Sequence, residues 1–470
     1  MDGTGEAAAT IAELANRIAG PGTLVAGKTQ GEVLWKIAQR AGVASRGRIA
    51  TESGLSTATV SKAVAILMDE KLVDDGEHGR RRPGAPLRWT DRYAAAGVVI
   101  STRGGHPVEF IGTVTTLDGT ALPAFSGEAD RRKISRQAQN ESSPKKLLDE
   151  LGEFIKSLLD KAASSHSETQ VLGCGVSVGG HVDGDHGIVK KSFNTGWTDD
   201  FPLETDLANW LKEDGRPLDV AVENDVTSLA VQMNLTTRPA DSYVLVAMFQ
   251  DGIGAAVVVN GRTWRGSHGL PGEIGHIYVG SRPKSAGPPQ GNGGEPRGRD
   301  KSPLARGEEP SCRCGKVGCL EAWAVPLAIL RRACPERASE LTPGVPTFDD
   351  EFYQLASRPQ TDEEVADIFH EAGTALARGL ADVILWLDPE KLFLYLPPAL
   401  AEENPYLAGK SYLNAVHDEL SHVFSVGNTT PREIYPKTQL DLEELGAKAA
   451  ASTVLRKLIL EVEKTEKTKQ

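Results

Sequence analysis

The hydrophobic positions of this chain change period along its length, and the changes divide it into segments. Residues 1–30 are rich in Ala, Gly and Thr; Ile11, Leu14, Ala15 and Ile18 recur at helical spacing and allow one short helix, and the stretch otherwise reads as a flexible tail. Val33, Leu34, Ile37, Ala38 and Ala41 then mark a helix that Gly42 ends. A short helix over about residues 47–52 follows, then a turn at Gly54 with Leu55 plugging the core. Ser56 is a good N-cap for a third helix with the inner face Val60, Ala63, Val64 and Leu67. Residues 72–74 and 87–89 can pair as a small hairpin, and 93–96 join this module to the body.

Beyond that point strands and helices alternate. Residues 97–100, 108–115 and 117–122 read as strands, the last two joined at 116–119. Pro144 opens a helix with Leu147, Leu148, Leu151, Phe154, Ile155, Leu158 and Leu159 inside. Strands at 171–178 and 220–222 follow, and a second set lies at 244–248, 255–260 and 392–396. Phe369, Ala372, Leu376, Leu380 and Ile384 mark a long helix, and a last helix spans about 446–463. This alternation predicts an α/β protein whose body has two lobes with a cleft between them.

The segment 281–310 breaks the pattern, since 12 of its 30 positions are Gly or Pro and no apolar period survives. It reads as a disordered excursion.

Charge adds a functional distinction. The chain carries −12 overall, yet residues 31–92 hold 11 Lys/Arg against 8 Asp/Glu. A mildly basic module on an acidic body singles out the module as the part that meets a polyanion. Within it the third helix presents Ser56, Thr57, Ala58, Thr59, Ser61 and Lys62, and the hairpin connection carries Arg80, Arg81 and Arg82. Short polar side chains at the front of such a helix, with a basic β-loop beside it, match a winged helix-turn-helix that reads DNA. A basic loop alone would equally serve a solvated face, but here loop, capped helix and turn occur in the expected order.

No apolar run approaches the ~20 residues that span a bilayer, and the first residues lack the order of a signal peptide. Five cysteines, three of them clustered, fit a reducing compartment better than a disulfide framework, so a cytoplasmic protein is expected. The cluster is Cys312, Cys314 and Cys319, preceded by His276 in Gly272-Glu273-Ile274-Gly275-His276. Three thiolates and an imidazole satisfy a tetrahedral Zn2+ and leave no position for water, which makes the site structural. Clustered cysteines can also be buried small hydrophobes; against that, Arg313 and Lys316 make this loop polar.

Together these residues resemble the ROK family of bacterial sugar kinases and sugar-responsive transcriptional repressors. The motifs that carry the resemblance are Gly272-Glu273-Ile274-Gly275-His276, the run from Cys312 to Glu321, and Glu223-Asn224-Asp225. Weaker matches begin at Ser177 and Asn194. The helix-turn-helix in front matches the repressor branch. The resemblance implies an actin-like, ribonuclease H-like fold with sugar held between two lobes. By motif position Gly180, Asn224, Asp225, Glu273, His276 and Glu321 would meet the sugar, with His276 binding zinc through its other ring nitrogen. Carboxylates and amides suit vicinal hydroxyls independently of the resemblance. Asn224-Asp225 after a strand is also a good helix cap, and both roles are compatible.

Family kinases need a phosphate cradle that this chain lacks at three places. The acidic residue of their first strand pair is replaced by valine in the register Val99-Ile100-Ser101-Thr102. The second phosphate loop carries Asp251 in Asp251-Gly252-Ile253-Gly254, which repels phosphate. Pro397-Pro398 stands where a Gly-Gly pair meets the adenosine. Asp225 remains as a vestigial base candidate.

The resulting expectation is no catalysis: a transcriptional regulator, more specifically a repressor, that responds to a sugar or sugar derivative and binds operator DNA as a homodimer or higher homo-oligomer. Its expected domains are a winged helix-turn-helix at 31–92, a first lobe at 94–223, and a second lobe at 224–470. A sugar kinase with an appended DNA-binding domain, or a constitutive DNA binder whose body only dimerises, are the alternatives.

Overall fold

The structure, a computed structural model, describes residues 10–20, 25–39, 44–75, 84–101, 108–134, 144–192, 195, 197, 199–237, 240–280, 309–343, 345–401, 407–424, 434–438 and 442–465. The chain forms two compact units. One holds residues 1–241, 258–270 and 441–470, and the other 242–257 and 271–440.

The first unit begins with helices Ile11–Ala19, Gly27–Ala38, Arg46–Ser53 and Thr57–Asp69. Gly54 takes the left-handed conformation (φ 71°) that lets the third helix stop and the fourth begin at once. Two short strands, β1 (Val73–Asp74) and β2 (Arg88–Trp89), pair antiparallel and complete the winged helix-turn-helix. The expected basic connection between them, with Arg80, Arg81 and Arg82, lies outside the described residues.

The body of this unit is a five-stranded sheet. Its strands are β3 (Tyr93–Ser101), β4 (Glu109–Thr116), β5 (Asp130–Lys133) and β6 (Gln170–Val178), then, after the hairpin of β7 (His181–Asp183) and β8 (Ile188–Lys191), β9 (Asp219–Asn224). The order is β5-β4-β3-β6-β9, with β3, β6 and β9 parallel. Residues 117–122, read as a strand, instead turn back after Thr116 and make one isolated bridge, Thr115 to Ala121. Asp118 accepts from Thr116 Oγ1 and Thr120 N, and such Asx bonding holds a turn against strand propensity. The third antiparallel strand is the polar Asp130–Lys133, which lacks the alternation that would reveal it.

One face of the sheet packs on helices Pro144–Ser165 and Leu203–Glu213 through Phe110, Phe154, Leu158, Val176 and Leu207. The other face takes the last helix, Leu442–Lys464. Its Ala451, Val454, Leu455, Leu458, Ile459 and Val462 share one buried cluster with Ile11, Leu14 and Ile18, with Leu34 and Ile37, and with Val231 and Leu235 of helix Asp225–Thr236. Each such Leu, Ile or Val contributes about 1.5–3 kcal/mol by leaving water. Two expectations change here. The segment read as a tail holds its short helix at Ile11–Ala19 and is ordered from Thr10, whose side chain accepts from Glu13 N in a capping box, because the last helix covers the apolar face. The last helix and residues 224–241 and 258–270, assigned by sequence to the second lobe, belong to the first unit.

The second sheet comprises β10 (Tyr243–Met248), β11 (Ile253–Val259), β12 (Arg262–Thr263), β13 (Lys391–Leu396) and β14 (Ile434–Thr438), in the order β12-β11-β10-β13-β14. β10, β13 and β14 are parallel. Helices Glu363–Leu387 and Lys410–Phe424 cover it, with Phe369, Leu376, Leu380, Tyr412 and Leu413 in the core of the second unit. Among the described residues no helix is long and apolar enough to cross a membrane. Of the segment 281–310, residues 281–308 lie outside the described part.

Candidate functional site

In the first unit the parallel register Val178 to Asn224 sets the carboxyl ends of β6 and β9 side by side, where open α/β sheets bind ligands. This brings Gly180, Asn224 and Asp225 together. Asn224 caps helix Asp225–Thr236, its Oδ1 accepting from Val226 N at 3.0 Å and Thr227 N at 3.1 Å. Its Nδ2 donates to Gly180 O at 2.9 Å. Asp225 sits in the first helical turn, where the macrodipole favours its charge. Its Oδ2 faces Gly179 so closely that a Cβ there would stand 3.2 Å away. Glu223 is buried beneath them, paired with Arg265, and accepts from Asn224 N at 3.0 Å.

In the second unit Glu273 precedes a short helical turn, Ile274–His276, and Glu321 opens helix Glu321–Ala324. His276 Nδ1 lies 3.6 Å from Cys312 Sγ and 3.6 Å from Glu321 Oε1, while its Nε2 lies 3.9 Å from Glu273 Oε2. Cys314 and Cys319 Sγ are 3.7 Å apart. Ligand atoms of His276, Cys312, Cys314 and Cys319 all fall within 4.8 Å of one another. Bonds of about 2.0–2.3 Å to a tetrahedral ion give edges of about 3.3–3.8 Å, so the closer of these spacings already have the right size. Gly315 (φ 88°) and Gly318 (φ 71°) supply the left-handed turns that fold the loop back. Burial pushes the Cys312 thiol well above its ordinary value, and the Glu321 carboxylate, 3.0 Å away, adds to it. Holding these sulfurs as thiolates beside that carboxylate would therefore take a cation. The four residues fit a metal of the thiolate-imidazole class.

Arg313, between two of these cysteines, ties the loop to two carboxylates. Its Nη1 lies 3.2 Å from Asp251 Oδ2 and its Nε 3.6 Å from Glu321 Oε1. Gly252 leaves room for the guanidinium, since a Cβ there would stand 2.9 Å from Nη2. Burial raises the Asp251 carboxyl and Glu321 adds to this, with Arg313 opposing.

On the helix-turn-helix, Ser56 Oγ accepts from Thr59 N at 3.1 Å. Ser56, Thr57, Ala58 and Lys62 are exposed, with Thr59 and Ser61 half-buried beside them.

The ROK family profile matches residues 119–395, more than half of the chain. The chain belongs to the ROK family. It is 29% identical to a glucokinase of Halalkalibacterium halodurans over 51% of this chain and 66% of that protein. It is 26% identical to the xylose repressor of Bacillus spizizenii over 61% of this chain and 63% of that protein. These alignments thus span slightly less than two thirds of each relative. A crystal structure described as a ROK family transcriptional regulator, homologue of the E. coli MLC protein, superposes with a TM-score of 0.63 at 19% identity, covering 93% of this chain and 99% of that one. That likeness establishes the fold: a winged helix-turn-helix followed by an actin-like, ribonuclease H-like ROK body.

Within this ROK chain the structure gathers the expected residues into two sets, Gly180, Asn224 and Asp225 in one unit and Glu273, His276, Glu321 and the cysteines in the other. Sequence reasoning missed the roles of Arg313 and Arg265. Arg313 carried a signal, as a cation between two metal-type cysteines; Arg265, in a segment without periodicity, carried none.

Proposed function

We propose that this ROK protein is a sugar-responsive DNA-binding regulator, acting as a repressor, without kinase activity. Its helix-turn-helix would read operator DNA, with Arg80, Arg81 and Arg82 on phosphates or in a minor groove. Gly180, Asn224, Asp225, Glu273, His276 and Glu321 would be the residues that meet the sugar effector. His276, Cys312, Cys314 and Cys319 would hold Zn2+ as a structural ion that fixes the imidazole and leaves its Nε2 side for the ligand. A homodimer is proposed because one such module buries little DNA surface.

The observation that carries this reading is the capped helix Thr57–Asp69, with exposed Thr57, Ala58 and Lys62 at its front, ahead of a ROK body. The relative named xylose repressor and the solved ROK transcriptional regulator support the regulator side; the glucokinase supports the kinase alternative. Against catalysis stands the Asp251–Arg313 pair at the loop where family kinases cradle phosphate: a lone guanidinium would attract phosphate, but this one already serves two carboxylates. The test is fluorescence anisotropy on duplex DNA enriched from random sequence by the protein itself, with and without D-glucose, D-xylose and N-acetyl-D-glucosamine, beside a coupled ATP assay on the same sugars. A sugar-dependent DNA affinity without turnover is expected.

A further inference from the structure

Two arginines on one short segment of the first unit reach opposite ends of it. Arg262 donates to both carboxylate oxygens of Glu463 on the last helix, at 2.7 and 3.2 Å. Its guanidinium carbon also stands 5.2 Å from the ring centroid of Trp35, a buried residue of helix Gly27–Ala38 in the DNA-binding module. Glu463 lies flat against that helix, for a Cβ on Gly31 would overlap its Cγ. Three residues later Arg265 pairs with Glu223, their side chains only 9% and 4% exposed, and approaches Asp185 at 3.7 Å. Glu223 in turn holds Asn224 N, one residue before Asp225. His268 O then meets His181 Nε2 at 2.5 Å, beside Gly180.

The segment between these anchors is short and stiff. Arg262 and Arg265 are three residues apart, at most about 10 Å of extended chain. β12 is pinned to β11 by the pairs Val258–Thr263 and Val259–Arg262, and the turn residues Asn260 (φ 54°) and Gly261 (φ 71°) are both left-handed. Gly261 N also donates to Asp241 O at 2.6 Å. A buried ion pair loses much when one partner leaves, so Arg265 must follow any displacement of Glu223 rather than release it.

We propose that Arg262 and Arg265 are positioning residues for regulation: the 262–268 segment transmits rearrangement at Glu223-Asn224-Asp225 to the helix of Trp35, and so couples effector binding to the DNA-binding module. This rests on the reading of the chain as an effector-responsive regulator. The competing route is the shared apolar core, since helix Asp225–Thr236 and helix Gly27–Ala38 both touch the last helix. Adjacency alone does not establish coupling; the discriminating quantity is an effect at one end of the segment produced by a change at the other.

Hydrogen–deuterium exchange on the full chain, without DNA or sugar, measures this directly. The double variant Glu223→Gln/Arg265→Met removes both partners of the buried pair together, which is milder than stranding one. It is expected to speed exchange of the Gly27–Ala38 amides at least threefold, as Arg262→Met does at the other end. Arg262→Met should reciprocally speed exchange at the start of helix Asp225–Thr236, and Arg262→Lys should restore part of the protection. Changes confined to β9 and His181–Asp183 in the double variant, with Gly27–Ala38 at wild-type rates, would overturn the proposal. A second arm reads anisotropy on the enriched duplex with the three sugars named above. In Arg262→Met the sugar-induced change in DNA affinity should shrink at least tenfold, with sugar affinity within twofold. An undiminished change overturns the proposal. A wild-type DNA affinity that no sugar alters sinks the regulator reading instead, and the exchange arm still decides whether the segment transmits.

Discussion

Arg313 Nη1 donates to Asp251 Oδ2 at 3.2 Å, so the loop of clustered cysteines is tied to the turn between β10 and β11. One guanidinium thereby serves two carboxylates, Asp251 and the nearly buried Glu321. Arg313→Met should leave Asp251 without its cation, remove one partner of Glu321 and lower stability by about 1–2 kcal/mol, discounted for the partial exposure of Arg313. Chemical denaturation of the metal-loaded protein checks it. Asp251→Asn should be milder, and the double variant should cost no more than Arg313→Met alone, since the two changes remove the same contact.

The pH dependence of that variant has a defined sign. Burial raises the folded carboxyl of Asp251 above its ordinary 3.8, so the folded state binds this proton more tightly than the unfolded one. Stability from this group is therefore fully present below 3.8 and is lost as pH rises through the raised value. Plotted as wild type minus Asp251→Asn, stability should fall with rising pH across that window. A difference that rises would show that Arg313, and not burial, dominates at Asp251.

Cysteine reactivity should separate into three classes. Cys174 is fully buried in β6 and its thiol is pushed up to about 12, so it should resist alkylation until the chain unfolds. Cys312, Cys314 and Cys319 should be protected while metal is bound and react after chelation. Cys334, half-buried and outside the cluster, should react in both states. Mass spectrometry of iodoacetamide-treated protein gives the order, and equal labelling of Cys314 with and without chelator would remove the metal assignment.

Much of this architecture was legible because its signals are local. Ser56 capping Thr57–Asp69, the periodic Leu147 to Leu158 face, and the apolar β6 and β10 all declare themselves within a dozen residues. The metal-type residues were legible for a chemical reason: three cysteines, two glycines and one histidine leave few other arrangements. What escaped depends on partners distant in the chain. Ile11, Leu14 and Ile18 look like an isolated patch until the last helix covers them. Leu117 to Leu122 has strand composition, but Asp118 turns it. Arg265 has meaning only against Glu223, which lies on another element.

The seat of the last helix gives a packing test. Gly97 on β3 and Gly175 on β6 lie directly under the helix backbone, where an added Cβ would overlap Ala447 O and Ala450 O respectively. Gly175→Ala should push the helix off the sheet and destabilise the first unit by about 1–3 kcal/mol through overpacking. Because Ile11, Leu34 and Ile37 share that helix's core, exchange should also rise in Ile11–Ala19 and Gly27–Ala38. Exchange changes limited to β6 would mean that the helix-turn-helix does not depend on this seat.

Ser56 Oγ satisfies Thr59 N, so Ser56→Ala should cost about 1 kcal/mol and fray the first turn of Thr57–Asp69. DNA affinity should fall with it, since the exposed Thr57 and Ala58 lie on that turn. Ser56→Asp should restore the cap yet not DNA binding, because a carboxylate there faces phosphate.

The most direct measurement of the central claim is DNA affinity of the metal-loaded protein with and without sugar, beside ATP turnover on the same samples. The account predicts that at least one sugar changes affinity for the enriched duplex about tenfold or more, equivalent to about 1.4 kcal/mol of coupling, with no ADP formed. Sugar-dependent ADP formation that Asp225→Asn abolishes, with DNA affinity indifferent to every sugar, would contradict it.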